Sequence, residues 1–279
     1  MKTIANISEL KAIISAYKSE GKKLSLVPTM GNLHEGHISL VKKAKKGQDI
    51  VISSIFVNPT QFGPNEDFNK YPRTLKDDLE KLKEAGCDLV FTPSVNDIYE
   101  DSNSSIFVSE PGKSKALCGK FRSGHFEGVL TIVLKLFNIC TPDKAYFGMK
   151  DYQQYILIKD MVSALNLDIE VIPCPIVRDN DGLALSSRNL YLSVKEKQDA
   201  FSLSRALNEM KKAFEEGETK TKILKSIGLS IITKSGIDVQ YLEIVNGETL
   251  ANVGIAKEGD LIAIAGFCGN TRLIDNIIL

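Results

Sequence analysis

The feature that most limits the fold is an alternation of short apolar runs with helix-like segments along the first 175 residues. Strands that are apolar on both faces are typical of buried parallel sheets. Their alternation with helices favours an α/β fold, a mostly parallel sheet wrapped by helices. The predicted strands are Leu24–Val27, Ile50–Val57, Asp88–Thr92, Ile106–Ser109, Ala145–Phe147 and Ile169–Ile172. The predicted helices are Ile7–Glu20, Gly36–Lys46, Thr74–Ala85, Phe126–Ile139 and Asp151–Leu165.

The pattern changes after Pro173 and Pro175, where two long helical segments are followed by strand-like runs. Such an order indicates a separate α+β unit. We therefore expect a first domain of residues 1–176 and a smaller C-terminal α+β domain of residues 177–279. The predicted elements of this second domain are helices Lys195–Glu216 and Lys220–Lys234 and strands Ile237–Val245, Leu261–Phe267 and Leu273–Ile278.

Charge and cysteine content exclude several classes of protein. The chain has 35 basic and 35 acidic residues, whereas nucleic-acid-binding proteins usually carry a basic surplus, so no nucleic-acid partner is expected. The five cysteines include no Cys-x-x-Cys pair, which disfavours a disulfide framework or a cysteine zinc site and favours a reducing compartment. With no apolar run of membrane-spanning length and no signal-peptide pattern, the expected location is the cytoplasm, without a membrane partner.

The segment PTMGNLHEGH, residues 28–37, joins a predicted strand to a predicted helix and holds two of the three histidines. His34 and His37 are three residues apart, so in a first helical turn they share a face. Gly31 and Gly36 allow a turn and a close ligand. Because free N–H groups and the helix dipole favour phosphate at a helix N-terminus, the segment indicates a nucleotide cradle. Chance surface histidines or half of a metal site are the alternatives.

Three further polar clusters follow predicted strands or turns. Lys150 and Asp151 in FGMKD fit a phosphate and ribose hydroxyls, or simply a capped helix start. Two serines and an arginine in LSSRN, residues 185–189, suit phosphate oxygens, although such loops are common. FVNPTQF, residues 56–62, offers amides at the carboxyl edge of the sheet, or only a turn at Asn-Pro. A P-loop, a Gly-x-Gly-x-x-Gly loop and a Gly-x-Ser-x-Gly elbow are all absent from the sequence.

These segments, in this order, closely resemble the pantothenate synthetase (pantoate–β-alanine ligase) family of His-x-Gly-His nucleotidyltransferases. The resemblance covers nearly the whole chain. It rests on PTMGNLHEGH, SIFVNPTQFGPNED, YPRT, LVFTPS, GHFEGV, KLFNI, FGMKDYQQ, DGLALSSRN and RLIDN. Two residues depart from the family's usual pattern, Ser123 before GHF and Met149 before Lys150.

The resemblance implies ATP-dependent condensation of pantoate with β-alanine to pantothenate, with release of AMP and pyrophosphate through a pantoyl-adenylate intermediate. It also implies a Rossmann-like first domain, a C-terminal domain that covers the active site, Mg²⁺ with the nucleotide, and a homodimer. The expected catalytic residues are His37, His34 and Lys150. Gln61 and Gln154 are expected to bind pantoate or β-alanine. The expected ATP-binding residues are Met30, Gly31, Asn32, Leu33, His34, Glu35, Gly36, His37, Gly148, Met149, Lys150, Asp151, Val177, Leu185, Ser186, Ser187 and Arg188.

Two other functions fit parts of the pattern. One is another adenylyltransferase of the same superfamily, which would ignore β-alanine and release no AMP. The other is a non-catalytic nucleotide-binding module, which would be expected to lack Lys150 or a signature histidine. The magnesium ligands stay open, since Asp78, Asp143 and Asp151 are all conceivable and nothing in the sequence selects among them.

Overall fold

The computed structural model describes residues 1–47, 49–64, 66–99 and 106–279. Within these ranges the chain forms two compact units. The first unit takes Met1–Pro111, Arg122–Met149 and Gln154–Pro175. The second takes Gly112–Phe121, Lys150–Gln153 and Ile176–Leu279. The division into a first domain of residues 1–176 and a second domain of residues 177–279 stays a prediction.

The first unit is built on a six-stranded sheet in the order β1-β4-β3-β2-β5-β6, and its neighbouring strands are parallel. β2 and β3 lie in the interior of the sheet, and Leu26, Val27, Val51 and Ile52 on them are fully buried. This explains why the central runs are apolar on both faces. The strands are β1 (Lys2–Ile4), β2 (Leu24–Thr29), β3 (Ile50–Ile55), β4 (Leu89–Phe91), β5 (Lys144–Gly148) and β6 (Glu170–Cys174).

Helices connect these strands and cover the sheet. Val41 and Ala44, on the second helix, share one core cluster with Val27 and Val51 of the sheet. Asn6 begins the first helix by accepting a hydrogen bond from the Glu9 N–H at 3.0 Å, as an N-cap residue does. The helices are α1 (Ile7–Ser19), α2 (Glu35–Lys46), α3 (Leu75–Glu84), α4 (Val95–Ile98), α5 (His125–Cys140) and α6 (Tyr152–Ala164).

The second unit combines two helices with an antiparallel sheet in the order β7-β8-β9. Leu203 and Leu207 of the first of these helices form one core cluster with Ile262 and Ile264 of the central strand. The elements are α7 (Val194–Glu215), α8 (Thr221–Ile232), β7 (Ile237–Val245), β8 (Leu261–Cys268) and β9 (Thr271–Ile278). The predicted fold class, a parallel sheet wrapped by helices with a smaller α+β part, is confirmed.

Individual elements differ from the sequence prediction. The strand predicted at Ile106–Ser109 is wrong, since these residues form no strand. The Val108 N–H instead donates to the Thr131 hydroxyl at 2.9 Å, and Ile106 is 85% exposed. β1 and α4 were not predicted, because three or four residues are too few to show a period. In the described part of the chain, no helix has both the length and the apolar character needed to cross a membrane.

The order of the strands defines a ligand edge. After β2 the chain adds β3 and β4 on one side, then β5 and β6 on the other, so the order reverses between β2 and β5. Ligands of open α/β sheets bind outside the carboxyl ends of the strands at such a switch point. The segment with the two signature histidines leaves the carboxyl end of β2, and Gly148 ends β5.

Candidate functional site

The loop between β2 and α2 bends at a position where both the backbone conformation and the available space favour glycine. Gly31 has a φ of +83°, in the left-handed region. A Cβ at this position would lie 3.1 Å from both the Asp78 carboxylate and the Ile55 side chain. Glycine therefore allows the turn and the close approach of α3 to the loop.

Helix α3 fixes this loop through two charged side chains one turn apart. The fully buried Asp78 carboxylate accepts the Asn32 N–H at 2.9 Å and the Leu33 N–H at 2.7 Å. Lys81 donates to the Leu33 carbonyl at 2.7 Å. Charge-assisted bonds of this kind are the stronger hydrogen bonds in proteins. The loop thus reaches the first turn of α2 in a defined conformation.

The two histidines orient each other at the start of α2. The Nδ1 atom of His34 accepts the Gly36 N–H at 3.1 Å, and the Nδ1 atom of His37 accepts the His34 N–H at 3.3 Å. Since Nδ1 accepts in both rings, each neutral imidazole carries its hydrogen on Nε2. The ring centroids are 4.1 Å apart. The segment therefore holds two adjacent Nε2–H groups in a half-buried setting.

The backbone N–H groups at the start of α2 differ from the sequence prediction, which expects free N–H groups there. The Gly36 N–H is bonded to His34 Nδ1, and the His37 N–H donates to the His34 carbonyl at 2.8 Å. These two N–H groups are therefore engaged within the turn, so the expectation that they are free for phosphate is wrong. The imidazole rings take over the capping of the helix, and the donors that the motif supplies are ring nitrogens.

Gln61 lies in a 3-10 turn, Pro59–Gln61, that follows β3 and is capped by Asn58. The buried Asn58 amide donates to the Gln61 Oε1 atom and to the Gly128 carbonyl, both at 3.2 Å. Gln61 in turn donates to the Met30 sulfur at 3.0 Å. Gln61 thereby contacts the loop that carries the histidines.

A second set of side chains holds the Gln61 backbone. His125 Nδ1 lies 2.7 Å from the Gln61 carbonyl, and its Nε2 lies 2.8 Å from the Arg122 guanidinium. Because a guanidinium only donates, Nε2 accepts and the His125 hydrogen lies on Nδ1, directed at Gln61. Arg122 also binds Glu66 through two bonds of 2.7 and 2.6 Å. Burial raises the pKa of Glu66, but the hydrogen bonds and charge of Arg122 outweigh it and leave the pKa below the usual value.

Lys150 follows β5 by two residues and lies in the 3-10 turn Met149–Asp151. Its ammonium is 3.9 Å from the Asp151 carboxylate, and the Lys150 side chain is largely buried while that of Asp151 is half exposed. Gln154 lies in the first turn of α6 and is half buried. By its contacts Lys150 belongs to the second unit, and Gln154 to the first.

Val177 and Leu185 close a short hairpin in the second unit. The Leu185 N–H donates to the Val177 carbonyl at 2.9 Å, and the chain turns at Gly182, which has a φ of +90°. Ser186 then caps the 3-10 turn Ser187–Tyr191 by accepting the Arg188 N–H at 3.3 Å. Of the ATP-binding residues predicted from LSSRN, Ser187 and Arg188 thus lie in this turn, Ser186 caps it and Leu185 precedes it.

The three carboxylates considered as magnesium ligands differ in position. Asp78 is occupied by two backbone N–H groups and by Thr74, whose hydroxyl donates at 3.2 Å. Asp143 binds Lys23 and the Leu24 N–H where β2 begins, so it lies at the amino edge of the sheet. Asp151 remains beside Lys150. Among the residues that the structure describes, no cluster of three or more His, Cys, Asp or Glu side chains could hold a metal ion.

Several positioning residues were missed by sequence reasoning. Asp78 had a usable signal: Leu75 and Leu82 define an apolar stripe of α3, and position 78 falls within it. A carboxylate on such a stripe is expected to be buried and bonded. Lys81, Arg122, Glu66 and His125 gave no comparable signal, because their roles depend on contacts between distant segments.

Comparisons with known proteins agree over the full chain. A family model described as pantoate-beta-alanine ligase matches residues 2–278. The pantothenate synthetase of Acetivibrio thermocellus is 52% identical over 280 residues, which cover 100% of this chain and 99% of the relative. That of Caldicellulosiruptor saccharolyticus is 50% identical with the same coverage.

Solved structures give the same result. The crystal structure of pantothenate synthetase from Thermus thermophilus is 39% identical, with a TM-score of 0.94 over 99% of both chains. The pantoate-beta-alanine ligase from Francisella tularensis, complexed with beta-gamma ATP and beta-alanine, is 38% identical. Its TM-score is 0.84, and the match covers 100% of this chain and 97% of that one.

Proposed function

The chain belongs to the pantoate–β-alanine ligase family, and we propose that His34, His37, Lys150 and Gln61 carry the first half of that reaction, the activation of pantoate by ATP. The enzyme condenses pantoate with β-alanine to pantothenate and converts ATP to AMP and pyrophosphate. A carboxylate does not react with an amine at neutral pH, so it must first gain a good leaving group. Formation of a mixed anhydride with AMP provides one.

In the proposed first step, a carboxylate oxygen of pantoate attacks the α-phosphorus of ATP and pyrophosphate leaves from the opposite side. Positioning and charge stabilisation supply most of the catalysis in such phosphorus displacements. In the second step the amine of β-alanine attacks the acyl carbon, and AMP departs with the former acyl C–O bonding electrons. No residue is assigned as the base that accepts the amine proton.

In the first unit, His34 and His37 are proposed to donate Nε2–H hydrogen bonds to phosphate oxygens of ATP. The observation that carries this proposal is the fixing of both Nδ1 atoms as acceptors, at 3.1 and 3.3 Å from backbone N–H donors. The remaining residues of Met30–His37, with Gly148 and Met149, shape the same contact. Gln61 and Gln154 are proposed to bind the hydroxyl and carboxylate oxygens of pantoate, and Gln61 also β-alanine.

In the second unit, the Lys150 ammonium is proposed to balance charge that develops on the phosphates, and Asp151 to accept from ribose hydroxyls. Ser186, Ser187 and Arg188 are proposed as further phosphate donors. Val177 and Leu185 would contribute through the hairpin backbone. Hydroxyl and guanidinium groups are common donors to phosphate oxygens.

Mg²⁺ is proposed to arrive with ATP. It binds proteins through one or two carboxylates plus substrate phosphates and keeps several waters, rather than using an all-protein cage. This fits a chain in which the described residues contain no three-ligand cluster. When bound, the ion would neutralise phosphate charge.

A homodimer and a cytoplasmic location are proposed as well. The family resemblance supports the dimer, and five free, buried cysteines support a reducing compartment. Sedimentation analysis of the purified chain, expected to give twice the monomer mass, tests the dimer.

Two assays test the proposed route. With pantoate and ATP alone, we expect exchange of labelled pyrophosphate into ATP that depends on pantoate. With β-alanine added, we expect one AMP for each pantothenate. Exchange that proceeds without pantoate would contradict the proposed intermediate, and an absence of AMP would favour a different adenylyltransferase. Nucleotide binding with neither activity would indicate a non-catalytic module.

A further inference from the structure

The segment RLIDN, residues 272–276 on β9, belongs to the motifs that marked the family resemblance but has no role in the proposed reaction. Each of its three polar side chains binds another segment of the second unit. Arg272 donates to Gln240 Oε1 at 2.9 Å and lies 3.4 Å from the Cys118 sulfur. Asp275 and Asn276 are only 3% and 5% exposed. Buried polar groups at such density need an explanation beyond packing.

Asn276 binds the backbone of Lys150. Its Nδ2 group donates to the Lys150 carbonyl oxygen at 2.9 Å. Two neighbours of Lys150 are held in the same unit: the Tyr152 hydroxyl donates to the Gly247 carbonyl at 3.0 Å, and Gln153 donates to Lys113 and Ala116 carbonyls. Residues 150–153 are thus held within the second unit, with Asn276 bound to the lysine itself.

Asp275, the preceding residue, holds the other group of predicted ATP ligands. Its carboxylate accepts two bonds from the Arg178 guanidinium, at 2.6 and 2.9 Å. Arg178 follows Val177 and pairs with Ala184 across the hairpin that leads into Leu185–Arg188. The Asp275 carboxylate also accepts the Asn276 N–H at 2.8 Å. Two adjacent residues therefore anchor the Lys150 segment and the hairpin to a single strand.

We propose that Asn276 is a positioning residue for Lys150, and that the Asp275–Asn276 pair sets the Lys150 ammonium relative to the Val177–Arg188 phosphate donors. Lysine has a long flexible side chain, so the position of its ammonium depends on a fixed backbone. Asn276 supplies that constraint with a neutral donor, which adds no charge beside the cation. The inference rests on the proposed role of Lys150 in pantoate activation.

A double-mutant cycle tests the coupling. The measurement is single-turnover formation of pantoyl adenylate from saturating ATP and pantoate in the full chain. We expect Asn276→Ala to slow this step about tenfold, since small misplacements of catalytic groups produce losses of that size or larger. In a Lys150→Ala background, we expect the same substitution to cause a loss of less than about twofold, because interacting residues are not additive.

Two further variants separate positioning from folding. Asn276→Leu keeps nearly the same size but has no hydrogen to donate, so it should be as slow as Asn276→Ala. Thr221→Val removes another buried donor to backbone carbonyls in the same unit, without a contact to Lys150. It should keep the wild-type rate, although it loses thermal stability. The reaction of supplied pantoyl adenylate with β-alanine should stay within about twofold of wild type in Asn276→Leu.

Equal losses from Asn276→Ala with and without Lys150 would overturn the inference while leaving the function of Lys150 intact. A wild-type rate in Asn276→Leu would overturn it as well. A wild-type rate in Lys150→Ala alone would instead remove the proposed role of the lysine, and the inference with it. Thermal unfolding of each variant identifies any that fails to fold.

Discussion

At the scale of single residues, the spacing of two residues in the sequence predicts whether their side chains share a helix face, but not where their hydrogen atoms lie. The separation of His34 and His37 predicts a shared face, and their rings lie 4.1 Å apart. It does not predict which ring nitrogen carries the proton, because that is decided by the backbone N–H groups of Gly36 and His34. The spacing therefore predicts that the two rings share a face, whereas the structure shows which ring nitrogen accepts a hydrogen bond.

This assignment makes a chemical prediction for His37. Glutamine can place an amide N–H near the position of the imidazole Nε2, whereas alanine removes the donor. We expect His37→Ala to slow pantoyl-adenylate formation about tenfold or more, as loss of an aimed donor does. His37→Gln should recover part of that rate. Single-turnover rates of both variants check this, and equal rates for the two would argue against Nε2–H donation.

At the scale of elements, α3 illustrates what periodicity can and cannot predict. The spacing of Leu75, Leu79 and Leu82 predicts a helix over Thr74–Ala85, and the helix spans Leu75–Glu84. Leu82 is fully buried, yet Leu75 is 46% exposed, and the fully buried Asp78 lies on the face that the leucines mark. Only the tertiary structure shows that α3 serves as the anchor of the histidine loop.

Removal of the Asp78 carboxylate tests that anchor. Asp78→Ala leaves two buried N–H groups of the loop without their charged acceptor, so we expect a loss of about 3 kcal/mol in the free energy of unfolding. Asp77, in the same helical turn, is exposed, and Asp77→Ala should change stability by less than about 1 kcal/mol. Urea unfolding of both variants checks the contrast. Similar values would mean that the loop holds its conformation without α3.

The ion pair between Glu66 and Arg122, just before α5, predicts that the free energy of unfolding depends on pH. The folded-state pKa of Glu66 lies below its ordinary value of 4.5, so its stabilising effect is present above that pH and is lost as pH falls through the folded pKa. We expect Glu66→Gln to be less stable than wild type at pH 7, and the difference to shrink below about pH 4.5. The exposed Glu84→Gln serves as control in the same unfolding series. A difference independent of pH would point to packing rather than ionisation.

At the scale of the whole molecule, the sequence shows a change of pattern near residue 176. It does not show that two segments before this point belong to the second unit. Gly112–Phe121 and Lys150–Gln153 group with the C-terminal residues, because their partners are on β7, β9 and the turn at Gly247. Periodicity and motifs describe residues that are close in the sequence, so they do not predict such contacts. Segments that share contacts are expected to open together.

This expectation can be tested by hydrogen exchange on the intact chain. Leu207 and Leu82 are both fully buried, one in the core of each unit. Leu207→Ala should destabilise its unit by about 2–5 kcal/mol. Amides of residues 112–121 and 150–153 should then lose protection together with β8, while β2 and β3 keep theirs. Leu82→Ala should produce the reverse pattern. If the two early segments instead followed β2 and β3 in both variants, the Lys150 segment would belong to the cooperative unit of the parallel sheet, and its anchoring by β9 would be secondary.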